Sequence, residues 1–249
     1  MKSGILFAAL TLALLAAGCG PTPAVSTATT NAPAPATPAT NAPAPAGTAP
    51  LPSAGRSDEA SAKLAAQANA LFEAGKLAEA VPAFEQALKA NPDDEELHFN
   101  LAFTLTRLGR PDEAIKQYRE SLRLLPDYSE AHNNLGNLLS KKGEVTEAIT
   151  HFEAALKSQP QNSGAQNNLG TALARQGKLS EAVDHFREAT RLKPDYAEAW
   201  LNLGNSYVGL GRLQDAVEPL QNALRANPGL TPAKNALARL RAKLGTGAR

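Results

Sequence analysis

The sequence predicts an all-α solenoid: five helix–turn–helix repeats in a body spanning 58–249, closed by one further helix. Two observations predict it. First, residue types recur at a shift of 34. Gly75, Gly109, Gly143, Gly177 and Gly211 form one series, and Ala80, Ala114, Ala148, Ala182 and Ala216 a second. Pro92, Pro126, Pro160, Pro194 and Pro228 form a third, and Phe84, Tyr118, Phe152, Phe186 and Leu220 a fourth. They set repeats at 61–94, 95–128, 129–162, 163–196 and 197–230. Second, residues 232–244 (PAKNALARLRAKL) are amphipathic, with Leu237, Leu240 and Leu244 on one face and Lys234, Arg239, Arg241 and Lys243 on the other. Such a helix suits the open end of a stack of repeats.

Two segments precede the body. Lys2 and the apolar run from Ile5 to Ala17 have the anatomy of a secretory signal peptide over 1–18, too short for a membrane span of about 20 residues. The run ends Leu15-Ala16-Ala17-Gly18-Cys19, and Cys19 is the chain's one cysteine. This resembles the lipobox of bacterial lipoproteins. The resemblance implies cleavage before Cys19, lipidation of its side chain, and a cell-envelope address. Gly20 stands where Asp marks inner-membrane retention in many such proteins, which favours an outer-membrane anchor facing the periplasm. Residues 19–57 are then the lipidated Cys followed by a Pro/Ala/Thr-rich tether, in which 31–40 is nearly repeated by 41–50. Frequent Pro and the scarcity of bulky apolar residues argue against a packed core there. At about 3.1 Å per residue the tether could hold the body up to roughly 100 Å from its lipid.

Within the repeats each series has a physical task. The Gly ends the first helix, where positive φ costs it least. The Ala lets the second helix approach its neighbour, and the aromatic one turn later fills the space beside it. The Pro stops the second helix. Asp93, Asp127 and Asp195 follow, near the start of the next helix, where a carboxylate suits the helix dipole. The pattern resembles the tetratricopeptide repeat. Leu135-Gly136, Leu169-Gly170 and Leu203-Gly204 match that family's Leu-Gly pair, and Trp200 and Tyr207 its aromatic slots; Gln67-Ala68 departs from it. The resemblance implies a right-handed superhelix whose first helices line a concave groove, and a protein-binding scaffold rather than an enzyme.

On that groove one column reads Ala66, Asn100, Asn134, Asn168, Asn202, with Asn133 and Asn167 beside it and Asn69, Asn137 and Asn205 a turn further on. Asn is a mediocre helix former, and its amide both donates and accepts. A ladder of Asn therefore suits the backbone of an extended peptide. In the second repeat Phe99 and Phe103 replace Asn, and with Phe72 they are expected to form an apolar anchor pocket. The carboxylate clamp of some related co-chaperones is not expected, because Ala65, Glu130 and Asn134 stand at its cationic positions. Arg107, Lys141 and Arg175 recur at the ends of three first helices, a solvated edge.

Charge narrows the partners. Residues 58–249 carry 23 basic and 24 acidic side chains, so nothing in the net charge points to nucleic acid. His98 and His132 lie 34 apart, as do His151 and His185. Repeat-equivalent positions are separated by about 8–10 Å, too far for shared ligation of one metal. Phosphate-loop, nucleophile-elbow and metalloprotease motifs are absent from the sequence. No metal or cofactor is expected. The expected partners are envelope proteins or peptides of unknown identity, together with the membrane through Cys19. An alternative, by similarity to pilus-biogenesis lipoproteins with such repeats, is an assembly factor for a pilus or secretin complex.

Overall fold

The computed structural model describes residues 59–246, with side chains from 62 to 245. The signal segment, Cys19 and the Pro/Ala-rich stretch lie outside the described residues. Eleven helices and no strand occur among the described residues. They are α1 (Glu59–Glu73), α2 (Leu77–Ala90), α3 (Glu95–Arg107), α4 (Pro111–Leu124), α5 (Ser129–Lys142), α6 (Val145–Ser158), α7 (Ser163–Arg175), α8 (Leu179–Leu192), α9 (Ala197–Gly209), α10 (Val217–Ala226) and α11 (Thr231–Thr246). Each helix packs chiefly on its neighbours in sequence. Among the first helices α1 also touches α3, and α7 touches both α5 and α9, while α11 closes on α10 and α9. None of the described helices is long and apolar enough to cross a membrane.

Each of the five recurrent glycines has φ between 73° and 89°. The residue after it bonds back to the first helix: Lys76 N–H to Leu71 O at 2.9 Å, Glu144 N–H to Leu139 O at 2.9 Å, Arg212 N–H to Tyr207 O at 2.9 Å. These bonds occupy helix-end carbonyls that would otherwise lack partners. The Ala series is fully buried, and Phe84, Tyr118, Phe152, Phe186 and Leu220 fill the core beside it. Burying such a side chain contributes about 1.5–3 kcal/mol. The Leu-Gly pairs mark where the two helices of a repeat come closest. A Cβ at Gly136, Gly170 or Gly204 would lie 2.7, 2.8 or 2.7 Å from the side chain of Phe152, Phe186 or Leu220.

The last repeat departs from the others. Spacing places the start of its second helix near Leu213, but α10 begins at Val217 after a turn over 213–216 closed by Val217 N–H to Gln214 O at 3.3 Å. Pro219 has no N–H to give to the carbonyl four residues back, and its ring crowds that carbonyl.

Candidate interaction groove

The face made by α1, α3, α5, α7 and α9 carries the expected Asn ladder, and the structure divides that ladder in two. Asn133, Asn167, Asn168 and Asn202 are 1%, 0%, 6% and 2% exposed. Asn168 Nδ2 donates to Asn133 Oδ1 at 3.0 Å, and Asn202 Nδ2 to Asn167 Oδ1 at 2.9 Å. Asn202 Nδ2 also lies 3.5 Å from Thr171 Oγ1. Asn168 and Asn202, expected to face a ligand, instead join one repeat to the one before it. Their amides are spent between α5, α7 and α9, where an unpaired buried amide would be costly. The remaining members, Asn69, Asn100, Asn134, Asn137 and Asn205, are half-buried. Asn100 Nδ2 donates to Asn69 Oδ1 at 3.3 Å. The side chains of Asn137 and Asn205 make no hydrogen bond among the described residues, so their capacity is free for a ligand.

Aromatic residues gather at the α1–α3 end, but not as an open pocket. Phe99 is 6% exposed, held by Tyr128 (centroids 4.8 Å apart) and Tyr118 (5.7 Å). It is a core residue and corrects the expectation of an exposed anchor. It takes the place of the buried Asn133 and Asn167, so the α3–α5 junction is aromatic where the next two are amide-bonded. Phe103 and Phe72 are half-buried, edge to face at 5.7 Å, and the Arg107 guanidinium lies 5.7 Å from the Phe72 centroid. These two present the apolar surface of the groove.

Tyr128 and Tyr196 stand at the helix-start position that Asp94 and Asn162 fill in alternate repeats. Asp94 Oδ1 accepts from Leu97 N–H at 2.9 Å and Asn162 Oδ1 from Ala165 N–H at 3.0 Å, caps that the tyrosines cannot make. The Tyr196 ring is buried instead, and its hydroxyl makes no well-formed hydrogen bond among the described residues, though the Asn167 side chain lies near enough to oppose weakly a rise in its pKa. Burial pushes this phenol up to about 12, and the charge of Glu198 adds to the shift. The Tyr118 hydroxyl is likewise buried without a well-formed hydrogen bond, and burial raises its pKa against a smaller opposing effect of the nearby Thr106 and Asn134 side chains. At the groove's acidic edge, burial raises the Glu96 carboxyl, with Asp94 and Glu95 reinforcing it. The three recurrent cations do not act alike. Arg175 Nη1 donates to Ser140 O at 2.7 Å and to its Oγ at 2.8 Å, tying α7 to α5, whereas Arg107 covers Phe72.

The histidines pair at a separation of 19, not 34. Position 98, 132 or 166 on a first helix meets position 117, 151 or 185 on the second helix of the same repeat. His98 Nδ1 lies 2.6 Å from Gln117 Oε1, His132 Nδ1 lies 2.9 Å from His151 Nδ1, and His185 Nδ1 lies 2.7 Å from Gln166 Oε1. The first-helix member also bonds a Pro carbonyl six residues back: Pro92 O at 3.0 Å, Pro126 O at 2.9 Å and Pro160 O at 3.4 Å. Trp200 keeps the second bond, 2.8 Å to Pro194 O, but the position nineteen residues on is Pro219, which offers no polar partner. Beside that apolar pair an open cleft of about 770 Å³ lies between α8, α9 and α10, lined by Trp200, Tyr207, Arg191, Glu188, Arg212 and Glu218 among others. Sequence reasoning missed this cleft. Its signal was the break in the His/Gln column at Trp200. Burial lowers the pKa of His185, and burial followed by the charge of His132 lowers that of His151. Clusters of three or more His, Cys, Asp or Glu able to hold a metal do not occur among the described residues.

Comparison with known proteins agrees with this geometry. A family model described as the tetratricopeptide repeat matches residues 65–129, 104–163, 133–197 and 167–231. Among solved structures, MamA is similar with 24% identity and a TM-score of 0.61, covering 65% of this chain and 94% of that one. MamA from Desulfovibrio magneticus RS-1 is 19% identical with a TM-score of 0.64, covering 70% and 98%. YrrB, described as a TPR protein with an unusual peptide-binding site, is 24% identical with a TM-score of 0.61, covering 68% and 87%. At these identities the likeness concerns the fold. No curated protein matches the chain.

Proposed function

Because the chain belongs to the tetratricopeptide-repeat family, we propose that it is a membrane-anchored scaffold that holds extended segments of cell-envelope proteins against the face formed by α1, α3, α5, α7 and α9. The observation that carries this reading is the division of the Asn ladder. Six amides, four of them buried, are bonded between repeats, while Asn137 and Asn205 keep theirs open on the face that also carries the half-buried Phe72–Phe103 pair. Open amides suit a peptide backbone, and an apolar patch beside them suits one anchoring side chain. The anchor is Cys19, lipidated after signal cleavage, with the body facing the periplasm from the outer membrane. The partner is a protein or peptide, and the role is binding rather than catalysis.

Affinity capture with the full mature chain from detergent-solubilised envelope tests the groove. The control is a variant carrying Phe103→Ala, Asn137→Ala and Asn205→Ala, which spares the buried amides. Partners retained by the native chain and lost by the variant are the expected result. The same partners on both would refute the groove. Membrane fractionation of Cys19→Ser tests the anchor separately, and release of the protein into the soluble fraction is expected.

A further inference from the structure

The third repeat holds two imidazoles that face each other through their Nδ1 atoms. His132 Nε2 lies 2.9 Å from Pro126 O, and a carbonyl only accepts, so this nitrogen carries hydrogen. The other nitrogen of a neutral ring is then a lone pair, and His132 Nδ1 faces His151 Nδ1 at 2.9 Å. The far nitrogen of His151, Nε2, lies 3.8 Å from Glu147 Oε1, a carboxylate held by Arg119 Nη2 at 2.8 Å. Two contacts each need a hydrogen, Pro126 O and the space between the rings, and the Glu147 carboxylate, beyond hydrogen-bond reach at 3.8 Å, favours a third on His151 Nε2. Two neutral imidazoles carry two hydrogens between them. Whichever tautomers form, either a lone pair faces the carboxylate or two lone pairs face each other. The flanking repeats avoid this, because a Gln amide can turn either its donor or its acceptor to His98 or His185.

We propose that His132 and His151 form a two-histidine site for a divalent transition-metal ion of the zinc and copper class, bound between their Nδ1 atoms. With the ion in place both rings adopt the Nε2–H tautomer, and those hydrogens point to Pro126 O and to Glu147. A backbone carbonyl and a carboxylate are the partners by which proteins orient metal-ligating imidazoles. Starting from the neutral pair, binding needs only a tautomer change at His151 and releases no proton. Zn–N bonds of about 2.0–2.1 Å at a tetrahedral angle set the two nitrogens about 3.4 Å apart, so the rings part by about 0.5 Å from their present 2.9 Å. Imidazole nitrogen favours this class of metal over magnesium or calcium. A third protein ligand does not converge there among the described residues, so water or a side chain of another molecule completes the sphere. The ion would clamp α5 to α6. The inference stands apart from the groove, whose residues it does not use.

The test is a titration of the full chain with ZnCl₂ alone, followed by calorimetry and by ¹⁵N resonances of the imidazoles. His151→Gln recreates the pair of the second repeat and His132→Gln that of the fourth, so both variants keep a pairing the fold already accepts. One equivalent of zinc is expected, weakened at least about tenfold in either variant and unchanged in His98→Gln. In the native chain zinc should shift the Nδ1 resonances of His132 and His151 while both Nε2 stay protonated. This readout does not depend on any variant. No zinc binding, binding indifferent to both variants, or ligation through Nε2 would overturn the proposal.

Discussion

Replacing Asn202 by Ala tests whether the buried amides hold the solenoid together. The Asn202 Nδ2 group is the donor that reaches Asn167 Oδ1 at 2.9 Å, and the Asn167 side chain is fully buried. Removing that donor leaves a buried acceptor unpaired, at about 1–3 kcal/mol. Ala is the better helix former and returns up to about 0.7 kcal/mol. The net loss is about 1–2 kcal/mol. For a domain of this size each kcal/mol moves Tm by about 2–4 °C, so thermal melting followed by circular dichroism should fall by about 3–6 °C. Amide exchange should rise first in α9, since repeat arrays open locally. Asn205→Ala is the matched control. It removes the same group three residues along the same helix, where the side chain makes no hydrogen bond among the described residues, and should leave Tm unchanged or raise it by up to about 3 °C through the same gain in helix propensity. Equal melting temperatures for Asn202→Ala and Asn205→Ala would refute the division of the ladder.

Three further outcomes follow from the geometry. Gly170→Ala would place a Cβ 2.8 Å from Phe186 and 3.1 Å from the backbone carbonyl of Ala182. Overpacking of about 1–3 kcal/mol outweighs the roughly 1 kcal/mol gained in helix propensity, so urea denaturation should show a net loss of about 1 kcal/mol. Tyr196 holds its proton to about pH 12 when folded and to about 10 when unfolded. Its contribution is therefore intact below pH 10 and lost as pH rises towards 12, by about 2–3 kcal/mol, and Tyr196→Phe should flatten the alkaline fall in stability. His185 has a folded pKa below the usual 6.5 because of its burial. Its contribution is present above that value and lost as pH falls through the lower folded pKa, and His185→Gln should reduce the acid dependence measured by denaturant titration.

The fold was legible because its signals are local. A glycine at positive φ and a proline after a helix act on their own backbone, so their 34-residue spacing announces each turn without knowledge of packing. The site was only half legible. Asn167 and Asn168 are adjacent in sequence, and on a helix wrapped by neighbours both can be enclosed; burial of polar side chains depends on how closely the next repeat approaches, which no single helix encodes. Phe99 misled for the same reason, since its burial comes from Tyr118 on α4 and from Tyr128, which stands just before α5. The histidines were compared across repeats at 34, whereas the contact that matters runs within a repeat at 19.

The junctions between repeats are not equal, and this gives the solenoid a hard end and a soft end. Closely bonded, enclosed amides fasten α5 to α7 and α7 to α9, while the amide link from α3 to α1 is longer, at 3.3 Å, and half open to water. Thermal fraying should therefore begin at α1 and travel inward. The half-buried pair Phe72 and Phe103 bridges that softest junction. A ligand seated across both rings would splice the loose end to the rest, so that occupancy is converted into rigidity along the whole array.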